Sequence, residues 1–73
     1  MRSLRKRSLN LNRHNTSIAL EPEFWSALER MAAERATSLV RMLDQIDADR
    51  GSRPMASACR VAVLVWALAG REA

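Results

Sequence analysis

The sequence predicts a mainly α-helical single domain with one short N-terminal β-strand, assembled as an intertwined homodimer. Three observations predict it. Residues 15–20 alternate polar and apolar side chains with period two. Residues 22–35 and 39–49 place apolar side chains on one face at helical spacing. Residues 55–69 are apolar nearly all the way round, and a helix of that kind must be buried on every side. One strand and two amphipathic helices of a single chain cannot enclose it, so a second copy is expected to.

The strand comes first. In Asn15-Thr16-Ser17-Ile18-Ala19-Leu20, Thr16, Ile18 and Leu20 share one face and Asn15, Ser17 and Ala19 the other, because successive strand side chains point to opposite sides. Leu9 and Leu11 also alternate with Ser8, Asn10 and Asn12. Two readings stand for that stretch: residues 12–15 turn between two strands, or a single strand starts after them. The fold class rests on the later stretch.

Pro22 suits the first turn of a helix, where its missing N–H costs nothing, and Glu21 and Glu23 favour the positive helix end. Phe24, Leu28, Met31 and Ala32 then recur at helical spacing, with Trp25 alongside, which predicts a helix over 22–35. Thr37 or Ser38 can cap the next helix, in which Leu39, Met42, Leu43 and Ile46 form a second stripe over 39–49. Gly51, Ser52 and Pro54 break the chain. The last stretch is valine-rich, yet its length, its alanines and its start behind Pro54 favour a helix over 55–69.

A chain of 73 residues fits one domain and is marginal on its own, so a disulfide, a metal or a partner is expected to stabilise it. Cys59 is the sole cysteine, which excludes an internal disulfide and reads as an inert buried thiol. His14 and Cys59 offer no metal-ligand spacing, so neither metal nor cofactor is expected and a second chain is left as stabiliser. No glycine-rich phosphate loop, nucleophile–base–acid set or paired carboxylates occur, and Ser57 has no base near it in sequence. The chain is expected not to be an enzyme and to have no small-molecule substrate. The run Val61–Ala69 is too short to span a bilayer and no secretory signal is visible, so a soluble cytoplasmic protein is expected.

The net charge of +4 is unevenly spread. The first fifteen residues carry Arg2, Arg5, Lys6, Arg7 and Arg13 and no acid, whereas residues 16–49 are net acidic. A basic arm over residues 1–7, ahead of a folded domain over 8–73, suggests a polyanionic partner. A solvated basic tail is the plainer reading of the same residues.

Several runs together resemble the ribbon-helix-helix DNA-binding proteins of the Arc/MetJ type, and a bacterial branch of them in particular. They are Lys6-Arg7-Ser8, His14-Asn15-Thr16-Ser17, Leu20-Glu21-Pro22-Glu23-Phe24-Trp25 and Ser57-Ala58-Cys59-Arg60-Val61. The resemblance covers residues 6–68. Arg13 stands where that branch tends to have glycine, and Pro54 where it tends to have asparagine. The helix over 55–69 matches the second helix of the family, which leaves 39–49 as an insertion.

The resemblance implies a function. Two chains pair their strands into one intermolecular antiparallel ribbon, whose outward face enters the major groove of double-stranded DNA. Asn15, Ser17 and Ala19 would read bases. Arg5, Lys6, Arg7, Arg13, His14 and Ser57 would contact the backbone. Ile18, Leu20, Phe24, Trp25, Leu28, Val61, Leu64, Val65, Trp66 and Leu68 would form the dimer core. Arg60 is expected to pair with an acid of the middle helix or of a partner chain, with a phosphate contact as the alternative. The expected function is a sequence-specific repressor or regulator at a near-palindromic site, with tandem dimers possible on DNA. The alternative is a homodimeric protein-interaction module, including an antitoxin, although antitoxins usually add a C-terminal partner-binding tail beyond such a domain.

Overall fold

The computed structural model describes residues 3–72. Its elements are β1 (Arg5–Leu11), β2 (His14–Leu20), α1 (Pro22–Glu34), α2 (Leu39–Asp49) and α3 (Met55–Glu72). The three helices lie where the apolar spacing places them, α3 running three residues further than expected.

The strands differ from expectation. There are two, and they pair antiparallel within one chain, from Arg5 opposite Leu20 to Leu11 opposite His14. The strand expected to stand alone in each chain is one arm of a hairpin, paired along one edge with β1 of the same chain. Residues 5–7 of the expected basic arm are strand residues, so the arm and the ribbon overlap. The physical reason is the two-residue turn. Asn12 and Arg13 have φ of 50° and 71°, the positive values that match a tight turn to the right-handed twist of its strands. Asparagine tolerates that region and arginine does not. The strain at Arg13 is offset by a latch. The Asn12 backbone N–H donates to Asp44 Oδ1 at 3.0 Å, and its Nδ2 donates to the Asp44 carbonyl at 3.2 Å and to Asp47 Oδ2 at 2.8 Å.

Period two then sorts the hairpin into two faces. Leu11, Ile18 and Leu20 lie buried on the inner one, with Leu9 packed against the same core. Behind them pack Trp25, Leu28, Met31 and Ala32 of α1, Met42 and Leu43 of α2, and Cys59 and Val63 of α3. Trp25 also donates its indole N–H to the Arg5 carbonyl at 2.8 Å, tying α1 to the start of β1. Of the expected dimer core, Ile18, Leu20, Trp25 and Leu28 are buried within the chain itself. Phe24, Val61 and Trp66 are half-buried. Leu64, Val65 and Leu68 are 56%, 61% and 49% exposed. The chain therefore buries one side of α3 alone and leaves an apolar stripe bare on the other.

Helix ends follow local chemistry. Pro22 starts α1, and Ser38 caps α2 by accepting the Arg41 backbone N–H at 3.1 Å. At the end of α1, the Thr37 N–H reaches the Ala32 carbonyl and the Ala36 N–H the Ala33 carbonyl. This is the Schellman pattern, with Ala36 in the left-handed position at φ 53°. Glycine fits that position without the Cβ penalty of about 1–2 kcal/mol, less the entropy that glycine restores to the unfolded chain. Ala36→Gly should therefore stabilise the protein by about 0.5–1 kcal/mol and raise the thermal midpoint by several degrees. Arg13→Gly should act in the same direction. A lower midpoint in both variants would contradict the left-handed assignments.

Candidate nucleic-acid interface

The outward face of the hairpin is a short polar ladder made by one chain. Three cross-strand rungs run away from the turn: Asn10 opposite Asn15, Ser8 opposite Ser17, and Lys6 opposite Ala19. Asn10 Nδ2 donates to Asn15 Oδ1 at 3.1 Å, and the two serine hydroxyls lie 3.4 Å apart. The N–H donors of Asn15 and the side-chain carbonyl of Asn10 take part in no other side-chain hydrogen bond among the described residues, and both side chains are exposed. Each amide thus holds its neighbour in one orientation while the pair together presents donors and an acceptor. All six side chains are exposed except the half-buried Ala19.

Cations flank this ladder. Lys6 lies at its base and Arg13 at its tip, while Arg5, opposite Leu20, shares the inner-face parity of Arg7 at the end of the sheet; all three are exposed and none has an acidic partner among the described residues. His14 is exposed beside the turn. Arg7 differs from the other expected backbone contacts. It belongs to the inner face, with its guanidinium 4.5 Å from the Trp25 ring centroid and 3.1 Å from Glu29 Oε1. It serves the seam between β1 and α1. Ser57 lies in the first turn of α3 beside Phe24 and Arg60, on the helix side of the hairpin. The ladder therefore brings together Asn15, Ser17, Ala19 and Lys6 and leaves Arg7 and Ser57 apart. It adds Ser8 and Asn10, which the sequence reading missed as site residues. Their signal was present in the alternation of residues 8–12, and its use required the two-residue turn.

Two further arginines, Arg60 and Arg50, are spent on the fold. Arg60 donates through Nε and Nη2 to Glu21 Oε1 at 3.0 and 2.9 Å. Its partner is thus an acid at the start of α1, and not one of the middle helix. A backbone N–H of Glu21 and then Arg60 hold that carboxyl below the usual carboxylate range. Arg50 donates to Asp47 at 2.7 Å. Hydrogen bonds from Arg50 and then Asn12 hold the Asp47 carboxyl low as well. Trp66 donates its indole N–H to Glu34 at 2.9 Å. Burial pushes the Cys59 thiol up to about 11, so it stays a protonated, unreactive core group near neutral pH.

No group of three His, Cys, Asp or Glu side chains is placed to hold a metal among the described residues. No helix among them is long and apolar enough to cross a membrane.

A family model described as ribbon-helix-helix domain matches residues 4–67. The matched segment begins just before β1 and ends within α3, spanning α2 with its neighbours. No curated protein and no solved structure matches the chain.

The Asp47 carboxylate supports the hairpin tip only while ionised. Its folded pKa lies below its ordinary value, so its contribution is present above the ordinary carboxylate range near pH 4 and is lost as pH falls through the folded value. Asp47→Asn should lower the thermal midpoint at pH 7, and the gap to the parent protein should narrow toward pH 3. A gap that stays constant over that range would mean the carboxylate charge plays no part in the latch.

Proposed function

The chain belongs to the ribbon-helix-helix domain family, and on that premise we propose that it is a homodimeric, sequence-specific DNA-binding regulator. Domains of this family are typically DNA-binding transcription regulators or antitoxins. The observation that carries the reading is the outward ladder of Asn10, Asn15, Ser8 and Ser17 on a two-stranded ribbon with exposed cations at both ends. The major groove is about 12 Å wide and admits a β-ribbon. The Asn15 amide supplies N–H donors for base edges, the carbonyl of Asn10 an acceptor, and the serines either role. Ala19 supplies apolar contact, for instance with a thymine methyl. Lys6 and Arg13 then meet phosphates on either side, fixing register without reading sequence. A repressor acting at a near-palindromic site follows from a two-fold dimer that presents this face twice.

The dimer is supported by the bare stripe of α3. Val61, Leu64, Val65 and Leu68 recur at helical spacing, and three of them are among the exposed large hydrophobics of the chain. Val61 and Leu64 border a groove also lined by Phe24, Val63 and Ala67. A second copy laid along this stripe covers it. The same stripe also favours the second reading, a protein-interaction module in which a different chain occupies it.

Asn15→Ala should weaken binding to a selected site roughly tenfold, in line with about 1–3 kcal/mol for a bidentate amide contact. It should leave binding to mixed DNA and the fold intact. Asn10→Ala should act alike and Ser17→Ala more weakly, whereas Ile18→Ser should lower stability first, because Ile18 is a core residue. Lys6→Ala and Arg13→Ala should each reduce the log–log salt slope by about 0.9 without changing discrimination. Fluorescence anisotropy over a salt series reads all of these. Discrimination untouched by both asparagine variants would move the interaction module ahead.

Because Leu64 is exposed and Val63 is buried, a charge at the two positions should act differently. Val63→Asp should unfold the chain, and Leu64→Asp should leave a folded monomer. Circular dichroism with sedimentation velocity separates the two results. A parent protein that sediments as a folded monomer at micromolar concentration would exclude the homodimer.

A further inference from the structure

We propose that the cleft between the end of α2 and the start of α3 binds a small phosphate monoester with an apolar body, and that the bound phosphate competes with the hairpin tip for Arg50. The inference does not rest on the DNA-binding reading, because none of the residues lining the cleft belongs to the hairpin.

Three arginines border the cleft. Arg35 follows α1, Arg50 follows α2, and Arg53 lies in the loop before α3. Arg35 and Arg53 are exposed and have no acidic partner among the described residues. Arg50 pairs with Asp47, but its Nη2 makes no hydrogen bond among them. Asp49 is the one acid in the lining, and Gln45 Nε2 donates to it at 3.0 Å. Three arginines against one aspartate leave the lining with positive charge in excess.

The loop holds two of these arginines in place. The Arg53 backbone N–H donates to the Arg50 carbonyl at 3.1 Å, and Arg50 Nη1 donates to the Arg53 carbonyl at 2.8 Å. The turn so closed passes through Gly51 at φ 61°, a value that glycine takes at no steric cost. Two bonds in opposite directions fix where Arg53 leaves the backbone and set the Arg50 guanidinium against the loop.

The floor of the cleft is apolar. Ile46 of α2 and Val61 and Ala62 of α3 line it, all half-buried. Its volume of about 420 Å³ lies in the range of small-molecule sites. Cations around an apolar floor fit a ligand with an anionic head and an apolar body. Guanidinium groups bind phosphate through paired N–H donors. A phosphate monoester carries about 1.5–2 negative charges near neutral pH, which suits the excess better than the single charge of a carboxylate. A phosphate of the DNA backbone carries one charge and brings no apolar body to fill the floor.

Arg50 joins this cleft to the hairpin. Its Nε donates to Asp47 Oδ1 at 2.7 Å, while Asp47 Oδ2 accepts from Asn12 Nδ2 at 2.8 Å. A phosphate that draws the guanidinium toward the cleft weakens its bond to Asp47. By linkage the reverse also holds, and loss of the Asp47 charge releases Arg50 to the ligand.

The test uses the full chain and three probes: phenyl phosphate, inorganic phosphate and phenol. Binding is followed at neutral pH by calorimetry and by amide chemical shifts. Phenyl phosphate should shift the amides of residues 45–53 and 58–62 saturably and bind roughly tenfold more tightly than either fragment. Arg35→Gln and Arg53→Gln, both at exposed positions, should each weaken it roughly tenfold, as expected for hydrogen bonds to a charged group. Asp47→Asn should tighten it, and saturating the parent should move the Asn12 side-chain amide signals. No saturable binding, binding no tighter than that of inorganic phosphate, or binding unchanged in both glutamine variants would overturn the site. Asn12 signals that stay still at saturation, with Asp47→Asn binding as the parent does, would overturn the competition.

The DNA backbone is the other source of phosphate. Arg35→Gln and Arg53→Gln should leave the salt slope of DNA binding unchanged. A slope reduced by about 0.9 in either variant would assign that arginine to the DNA backbone and sink the proposal. A parent that binds no DNA would overturn the DNA-binding reading, while saturable binding of phenyl phosphate would still support the cleft.

Discussion

The attachment of the hairpin tip to α2 is the constraint on which the rest of the structure depends. A two-stranded hairpin is marginal by itself in water, and this one turns through a residue, Arg13, that is poorly suited to its backbone angles. Asn12 resolves both problems at once. Its backbone N–H and side-chain amide bind Asp44 and Asp47, which fixes the turn and presses β1 against α2. With the tip fixed, register is set, because slipping by one residue would carry Leu11 and Ile18 to the water side. With register set, Asn10 meets Asn15 and Ser8 meets Ser17. The composition of the outward face is thus a consequence of an interaction made on a different surface.

Charge is divided along the same line. Three acids in or beside α1 and α2 are engaged with arginines that serve the fold: Glu29 with Arg7, Glu21 with Arg60, Asp47 with Arg50. These pairs are partly solvent-exposed, so each contributes little stability. Their larger effect is to keep acids on the helix side of the sheet while Lys6 and Arg13 stand at the two ends of its outer face. Positive charge at those ends is the kind of surface that attracts a polyanion. Arg7 shows why sequence position alone does not assign a basic residue to a ligand. It lies between Arg5 and Ser8 in the chain, and period two turns it inward onto Trp25.

The last helix links the fold to assembly. It is apolar on most faces, and the chain covers the side carrying Ala58, Cys59 and Val63. The opposite side, with Leu64, Val65 and Leu68, remains bare. The hairpin pairs one edge of each strand within the chain, and the bare side of α3 adds an apolar surface that the chain does not cover. The polar outer face of the hairpin and the apolar stripe of α3 lie on different surfaces.

The sequence by itself determined the three helices, the strand over 15–20, the inner set Ile18, Leu20, Trp25 and Leu28, and the outward placement of Asn15, Ser17 and Ala19. All of these follow from periodicity, which is local: an apolar stripe at helical spacing or an alternation of period two needs no knowledge of distant residues. The partner of β2 was not local information. Residues 8–12 alternate over a short stretch, and Arg13 occupies a position where the tight turn calls for glycine, so the signal for a hairpin was weakened at the residue that should have announced it. The turn forms because Asp44 and Asp47, more than thirty residues away, hold Asn12. Tertiary structure likewise decided that Arg7 faces Trp25, that Arg60 meets Glu21 across the start of α1, and that Leu64, Val65 and Leu68 lie outside the core. Each of these depends on which side of an element its neighbours cover, and that is settled only when the helices pack.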